Sequence, residues 1–155
     1  MKNIAVILSG CGVKDGSEIH EATLLLLAID KLGAKYTIFA PNDDFNVVNH
    51  YTGAETDEKR NILVESARIA RGQINDLITF DATKYDALIL PGGFGAAKNL
   101  CTYALDGANM EVRKDVAQAI ADMHALHKPI GGLCIAPVVI AGTLSNGAKV
   151  TIGND

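Results

Sequence analysis

Four apolar runs constrain this chain more than any other feature, because each stops abruptly on glycine or proline. They are IAVILS (4–9), AKYTIFAP (34–41), YDALILPGG (85–93) and KPIGGLC (128–134). A run without polar alternation fits a strand covered on both faces. Between the runs lie segments with the helical period. SEIHEATLLLLAIDKLG (17–33) predicts a helix, with Leu24, Leu27, Ala28 and Leu32 toward the sheet. EKRNILVESARIARG (58–72) predicts a second, closed by Gly72. NMEVRKDVAQAIADMHALHK (109–128) predicts a third, with Val112, Val116, Ile120 and Met123 on one face. GFGAAKNL (93–100) opens a short helix, PVVIAGTL (137–144) forms another, and AKVTIGN (148–154) reads as a last strand. The stretch 42–59 is polar and reads as a long irregular surface excursion. Strands alternating with helices imply a mainly parallel sheet between helical layers, an α/β, flavodoxin-like three-layer αβα sandwich.

At 155 residues the chain is one domain by length. A net charge of −4 gives no basic surface for nucleic acid, so no nucleic-acid partner is expected. The apolar start is too short for a membrane span and reads as a strand, so neither a membrane nor a targeting segment is expected. The default location is then cytoplasmic. The three cysteines, Cys11, Cys101 and Cys134, are far apart in sequence and form no CxxC pair. Three reduced thiols are the simplest reading.

In doubly wound folds, sites form at the carboxyl ends of the strands. Three glycine-bearing ends meet there: SGCG, LPGGFG and IGGLC. In GGLCIAP (131–137), proline is tolerated only in the first turn of a helix. With Pro137 at the third helical position, Cys134 falls at the N-cap or just before it. Gly132 and Ala136 flank it two residues away, the small neighbours that a nucleophile elbow needs. Free N–H groups and the dipole at the helix start favour a thiolate. The Ile135 N–H can point at an oxyanion, and the N–H of Gly93 or Phe94 can supply a second donor. Cys11 and Cys101 lack such a setting and read as structural.

LPGGFGAAKN also comes near a nucleotide cradle, as does GCGVKD, but neither completes the G-x-G-x-x-G fingerprint. DGSEIHEA offers Asp15, Glu18 and Glu21 around His20. Glu18 and Glu21 share one face of a first helical turn, where acids also stabilise the helix directly. A carboxyl held close to the thiol would act as a proton shuttle. Glu18 and His20 are auxiliary candidates. His124 and His127 form a thin pair without a third ligand, so no metal is expected.

The segments VILSGCGVKDGSEIHEA, ETDEKRNILVESARIARG, LPGGFGAAKNL, GGLCIAP and VTIG together closely resemble the ElbB family. These are isoprenoid-biosynthesis-like, glyoxalase III-type proteins of the class I glutamine amidotransferase-like and PfpI superfamily. The resemblance covers essentially the whole chain. It implies a single domain over 1–155 with Cys134 as nucleophile and Glu21 as the acid contacting it. It implies cofactor-independent conversion of methylglyoxal or glyoxal, a small aldehyde substrate, to the hydroxy acid, and often a homodimer. Two departures stand out. Ile135 occupies the position after the nucleophile where many relatives carry histidine, and the amidotransferase His-Glu pair is unmatched. The family's further strand and terminal helix after VTIG also have no counterpart before Asp155. These departures leave open a second reading, a catalytically weak regulatory or stress protein.

Overall fold

The computed structural model describes residues 1–145 and 148–151. Its sheet is built from β1 (Asn3–Ile7), β2 (Lys35–Ala40), β5 (Asn75–Asp76), β6 (Ala87–Leu90) and β7 (Ile130–Gly132), in the order β5-β2-β1-β6-β7. Every pairing in it is parallel, with Ile4 opposite Tyr36 on one side of β1 and opposite Ala87 on the other. The helices are α1 (Ile19–Lys31), α2 (Ile62–Ala70), α3 (Phe94–Lys98), α4 (Tyr103–Asp106), α5 (Lys114–Ala125) and α6 (Pro137–Thr143). The expected flavodoxin-like αβα sandwich is formed. No helix among the described residues is long and apolar enough to cross a membrane.

The apolar runs behave as two-sided strands. Ala5 and Ile7 face a core with Val116, Ile120 and Met123 of α5 and Val139 of α6. Val6 and Leu8 face the opposite core, with Ala22, Leu26 and Ile29 of α1 and Ala70 of α2. Val6, Ile7 and Leu8 are fully buried, each stabilising the fold by roughly 1.5–3 kcal/mol.

Several sequence expectations need correction. The excursion at 42–59 is instead an antiparallel hairpin of β3 (Asp44–Val48) and β4 (Glu55–Asn61). Phe45 and Val47 alternate with exposed Asp44 and Asn46 and pack on Ala40 and Ile62, a period-2 pattern masked by the polar residues around it. The helix expected from residue 58 starts at Ile62, where the Asn61 side chain caps it by accepting the Val64 N–H at 3.1 Å. On α1, Leu24 and Leu32 are 62% and 85% exposed, and Leu27 and Ala28 also face solvent. Four consecutive leucines make that helix apolar on every side, so periodicity cannot choose its buried face. Val112 precedes α5 and forms a bridge with Cys101 rather than joining its face. Residues 148–151 form no strand, and the remainder of the strand expected over 148–154 lies outside the described residues.

Candidate active site around Cys134

The chain departs from β1 in two directions, through α1 to β2 on one side and later to β6 on the other. The carboxyl ends of β1 and β6 therefore flank the crevice where such folds bind ligands. β7 delivers a third end beside β6. The loops after these strands carry SGCG, LPGGFG and GGLC together, as the glycine-bearing ends predict.

After β7, Leu133 N–H donates to Leu90 O at 3.0 Å, and the backbone then turns sharply. Cys134 has φ 52°, in the left-handed region that most side chains avoid. Ala136 N–H closes the turn onto Leu133 O at 2.9 Å. Pro137 is the first helical residue rather than the third, and Ala136 is the cap. Cys134 thus stands two residues before the cap, at the apex of an elbow, and is exposed. A Cβ on Gly132 would lie 3.0 Å from Pro137 N and 3.1 Å from Ala136 C. The small neighbours are required by the returning backbone itself.

Glu21 sits in the first turn of α1 and is half-buried. Its Oε2 accepts the Gly92 N–H at 2.8 Å, a charge-assisted bond that fixes one carboxylate oxygen. Gly92 is also the contact between this acid and the thiol residue. A Cβ on Gly92 would lie 2.5 Å from Cys134 Cβ and 2.6 Å from Glu21 Oε2. Both atoms therefore crowd one point in space, and only glycine permits the approach.

The oxyanion candidates separate. Phe94 N–H is committed to Val13 O at 2.8 Å, so it is not a donor for substrate. Gly93 N–H and Ile135 N–H make no protein hydrogen bond among the described residues. Gly93 caps α3 with φ 97°. Glu18 caps α1: its Oε2 accepts Glu21 N–H at 2.7 Å and its Oε1 pairs with His20 Nδ1 at 2.9 Å. The His20 hydrogen bond, followed by the one from Glu21 N–H, holds the Glu18 carboxyl below the usual range. Glu18 thus shapes the helix start, and His20 faces solvent. Among the described residues no group of three His, Cys, Asp or Glu side chains is arranged for a metal.

The loop from β1 to α1 is held by buried groups that sequence reading did not single out. Ser9 N–H donates to Ser17 Oγ at 2.9 Å, and Gly10 N–H donates to Ser66 Oγ at 2.9 Å. Asn99 Nδ2 donates to Ser9 O at 2.8 Å and Asp15 O at 2.7 Å. These contacts join positions up to 90 apart in sequence, and nothing local signals them. The other thiols differ from Cys134. Burial, then the Glu65 charge, pushes the Cys11 thiol up, and burial pushes up Cys101, whose Sγ donates to Ala96 O.

No family model matches the chain. It is 49% identical over 154 residues to the human mitochondrial glutamine amidotransferase-like class 1 domain-containing protein 3, covering 98% of this chain and 57% of that protein. It is 40% identical to the mitochondrial ES1 protein of Danio rerio, covering 97% of this chain and 58% of that one. The chain thus spans less than two thirds of these curated relatives. A solved isoprenoid biosynthesis protein with an amidotransferase-like domain, from Ehrlichia chaffeensis, superposes with TM-score 0.89 at 42% identity, over 95% of this chain and 70% of that one. A DJ-1 superfamily protein from Agrobacterium tumefaciens shares the fold, with TM-score 0.51 at 18% identity over 94% of this chain and 60% of that one. The cytoplasmic default is overturned: the curated relatives are named as mitochondrial proteins. Composition and a strand-like start carry no information on address, which is why the default failed.

Proposed function

This chain belongs to the class I glutamine amidotransferase-like superfamily, and on that premise we propose that it is a cofactor-independent, glyoxalase III-type enzyme. The observation that carries the reading is the crowding of Cys134 Cβ and Glu21 Oε2 against Gly92. It brings a nucleophile and a carboxylate onto one substrate-sized locus. Cys134 Sγ attacks the aldehyde carbon of methylglyoxal, and the carbonyl π pair becomes an alkoxide that takes up a proton to give a hemithioacetal. Glu21 removes the hydrogen from that carbon as a proton. The electron pair moves toward the neighbouring ketone, whose oxygen takes up the hemithioacetal hydroxyl proton, and Glu21 returns its proton to the second carbon, leaving a thioester. The aldehyde carbon is oxidised and the ketone carbon reduced, so no external redox partner is needed. Water then hydrolyses the thioester, releasing lactate and the free thiol. The N–H groups of Gly93 and Ile135 would receive the oxyanions.

Glutaminase chemistry is not favoured, because Ile135, rather than a histidine, directly follows the nucleophile. The test uses the full-length protein and lactate formation from methylglyoxal. Cys134→Ala should abolish turnover, and Glu21→Gln should lower kcat by about 10²–10⁴-fold, the usual contribution of a positioned proton carrier. Turnover surviving Cys134→Ala would overturn the proposal. A second reading rests on the exposure of Cys134: a regulatory or stress protein that keeps the elbow for binding or redox sensing. It predicts negligible turnover in the full-length protein together with a co-purifying partner.

A further inference from the structure

His50 lies between β3 and β4, and backbone groups engage both nitrogens of its ring. Nδ1 is 3.1 Å from Val48 O, which can only accept, so Nδ1 carries the ring proton and donates. Nε2 accepts the Lys14 N–H at 3.1 Å. Only the neutral tautomer protonated on Nδ1 satisfies both contacts. The ring thereby ties the hairpin to the β1–α1 loop across 36 positions of sequence. Gly12 permits the approach, since a Cβ there would lie 2.6 Å from His50 Nε2.

The Lys14 N–H belongs to the same planar peptide unit as the Val13 carbonyl, and in a trans unit the two point in opposite directions. Val13 O accepts the Phe94 N–H at 2.8 Å. One rigid peptide therefore has His50 at one end and the start of α3 at the other. The next contacts repeat the tie. Gly16 O accepts the Gly95 N–H at 2.9 Å, and Asp15 O accepts Asn99 Nδ2 at 2.7 Å. A Cβ on Gly93 would strike Gly16 O and Glu18 N, so Gly93 lies flush against this loop. Gly93 carries one of the two candidate oxyanion donors.

We propose that His50 is a positioning residue for the Gly93 donor: its neutral ring holds the Val13–Lys14 peptide in the orientation that seats Phe94 and, through it, Gly93. Protonation at low pH places a second N–H on Nε2, facing the Lys14 N–H. That contact must break, and the new N–H has Asp15 Oδ1, 3.8 Å away, to turn toward. The other groups around the ring are Lys14 and the Cys11 thiol of the loop, Glu58 and Arg60 of β4, and Glu65 of α2. Glu58 pairs with Arg60 at 2.7 Å and Glu65 with Arg68 at 2.9 Å, which leaves Asp15 as the carboxylate that answers the ring. The effect on turnover rests on the glyoxalase reading above, whereas the effect on the backbone does not.

The test has two arms, both on the full-length protein. In the first, amide NMR follows the titration of the His50 ring, whose own carbon-bound proton gives the midpoint. The Lys14 and Phe94 amides should shift with that midpoint. His50→Gln supplies an acceptor oxygen near the place of Nε2 but cannot titrate, so both shifts should vanish. A Phe94 amide that stays fixed while the ring titrates, or that moves equally in His50→Gln, would overturn the proposal whether or not the protein turns over methylglyoxal. In the second arm, wild-type kcat/KM for methylglyoxal should fall as pH drops through the same midpoint. His50→Gln should lose that inflection and keep its neutral-pH kcat. His50→Ala should lower kcat about tenfold at neutral pH with KM little changed, less than the 10²–10³-fold that outright loss of an oxyanion donor costs. An active wild type without the inflection, or an inflection that persists in His50→Gln, would also overturn the assignment. A wild type without turnover would count against the glyoxalase reading alone, and the amide shifts would still decide on His50.

Discussion

Gly92→Ala adds one methyl group at the point where the thiol residue and the acid meet. The new Cβ would lie 2.5 Å from Cys134 Cβ, 2.6 Å from Glu21 Oε2 and 2.9 Å from Leu133 O. Two of these neighbours cannot rotate away, because one is the Cβ of the elbow and the other is its backbone. Overpacking of this kind costs roughly 1–3 kcal/mol. At roughly 2–4 °C of Tm per kcal/mol for a domain of this size, calorimetry should resolve it. The functional loss should be larger than the stability loss. Relief requires the elbow and the Glu21 carboxylate to move apart, and a displacement of about 1 Å in reacting groups can cost about 10²-fold in rate. The matched control is Gly131→Ala in β7, three residues before Cys134, where a Cβ meets only Ile89 methyl and methylene carbons at 3.9 Å. That variant should keep both Tm and kcat/KM. Methylglyoxal turnover and the rate of Cys134 alkylation should be measured on both. A Gly92→Ala protein with wild-type alkylation and turnover would refute the claim that these two side chains work at one locus.

Other outcomes follow from the same structure. Iodoacetamide at neutral pH should label Cys134 first by mass spectrometry, because it is exposed whereas the Cys11 and Cys101 thiols are pushed up by burial; equal labelling of Cys11 would contradict this. The Glu18 carboxyl is depressed in the fold, so its contribution to stability is present above its unfolded pKa and is lost as pH falls through its folded one. His20→Ala should raise the Glu18 midpoint in a carboxyl NMR titration, and an unmoved midpoint would remove His20 as the main cause. Asn61→Ala should cost about 0.5–2 kcal/mol in urea unfolding by removing the cap of α2. Ser66→Ala should cost about 1–3 kcal/mol, because Gly10 N–H loses its buried acceptor.

Much of the fold was legible because its strands are buried on both faces. Runs such as IAVILS admit few alternatives, and the glycine or proline after each marks where a site is built. The elbow was legible for the same local reason: Gly132, Ala136 and Pro137 all act within a few residues of Cys134. What escaped depends on distant contacts. Which face of α1 is buried is settled by the crossover onto β1 and β2, not by its own four leucines. The hairpin was hidden because β4 is nearly all polar and holds only through pairing with β3. The placement of Pro137 at the first helical position rather than the third follows from the tight turn over 134–136, which periodicity does not register. Asp15 was noticed as a carboxylate, but its bond to the Val48 N–H depends on a hairpin that the sequence presents as an apparent loop.

Among the described residues, three non-glycine residues have positive φ: Arg71, His127 and Cys134. Arg71 is the C-cap of α2, and His127 directly follows the last turn of α5, positions where a left-handed residue ordinarily terminates a helix. Cys134 lies between a strand and a helix start, so no helix end explains it. A left-handed conformation costs a side-chain-bearing residue roughly 1–2 kcal/mol. Glycine at 134 would escape that penalty and give back part of the gain through a freer unfolded chain. A library of variants sorted for heat resistance alone should therefore enrich glycine or asparagine at position 134, whereas sorting for aldehyde consumption should return cysteine. The divergence between the two selections would measure, in population terms, how much fitness the thiol supplies to offset its own conformation.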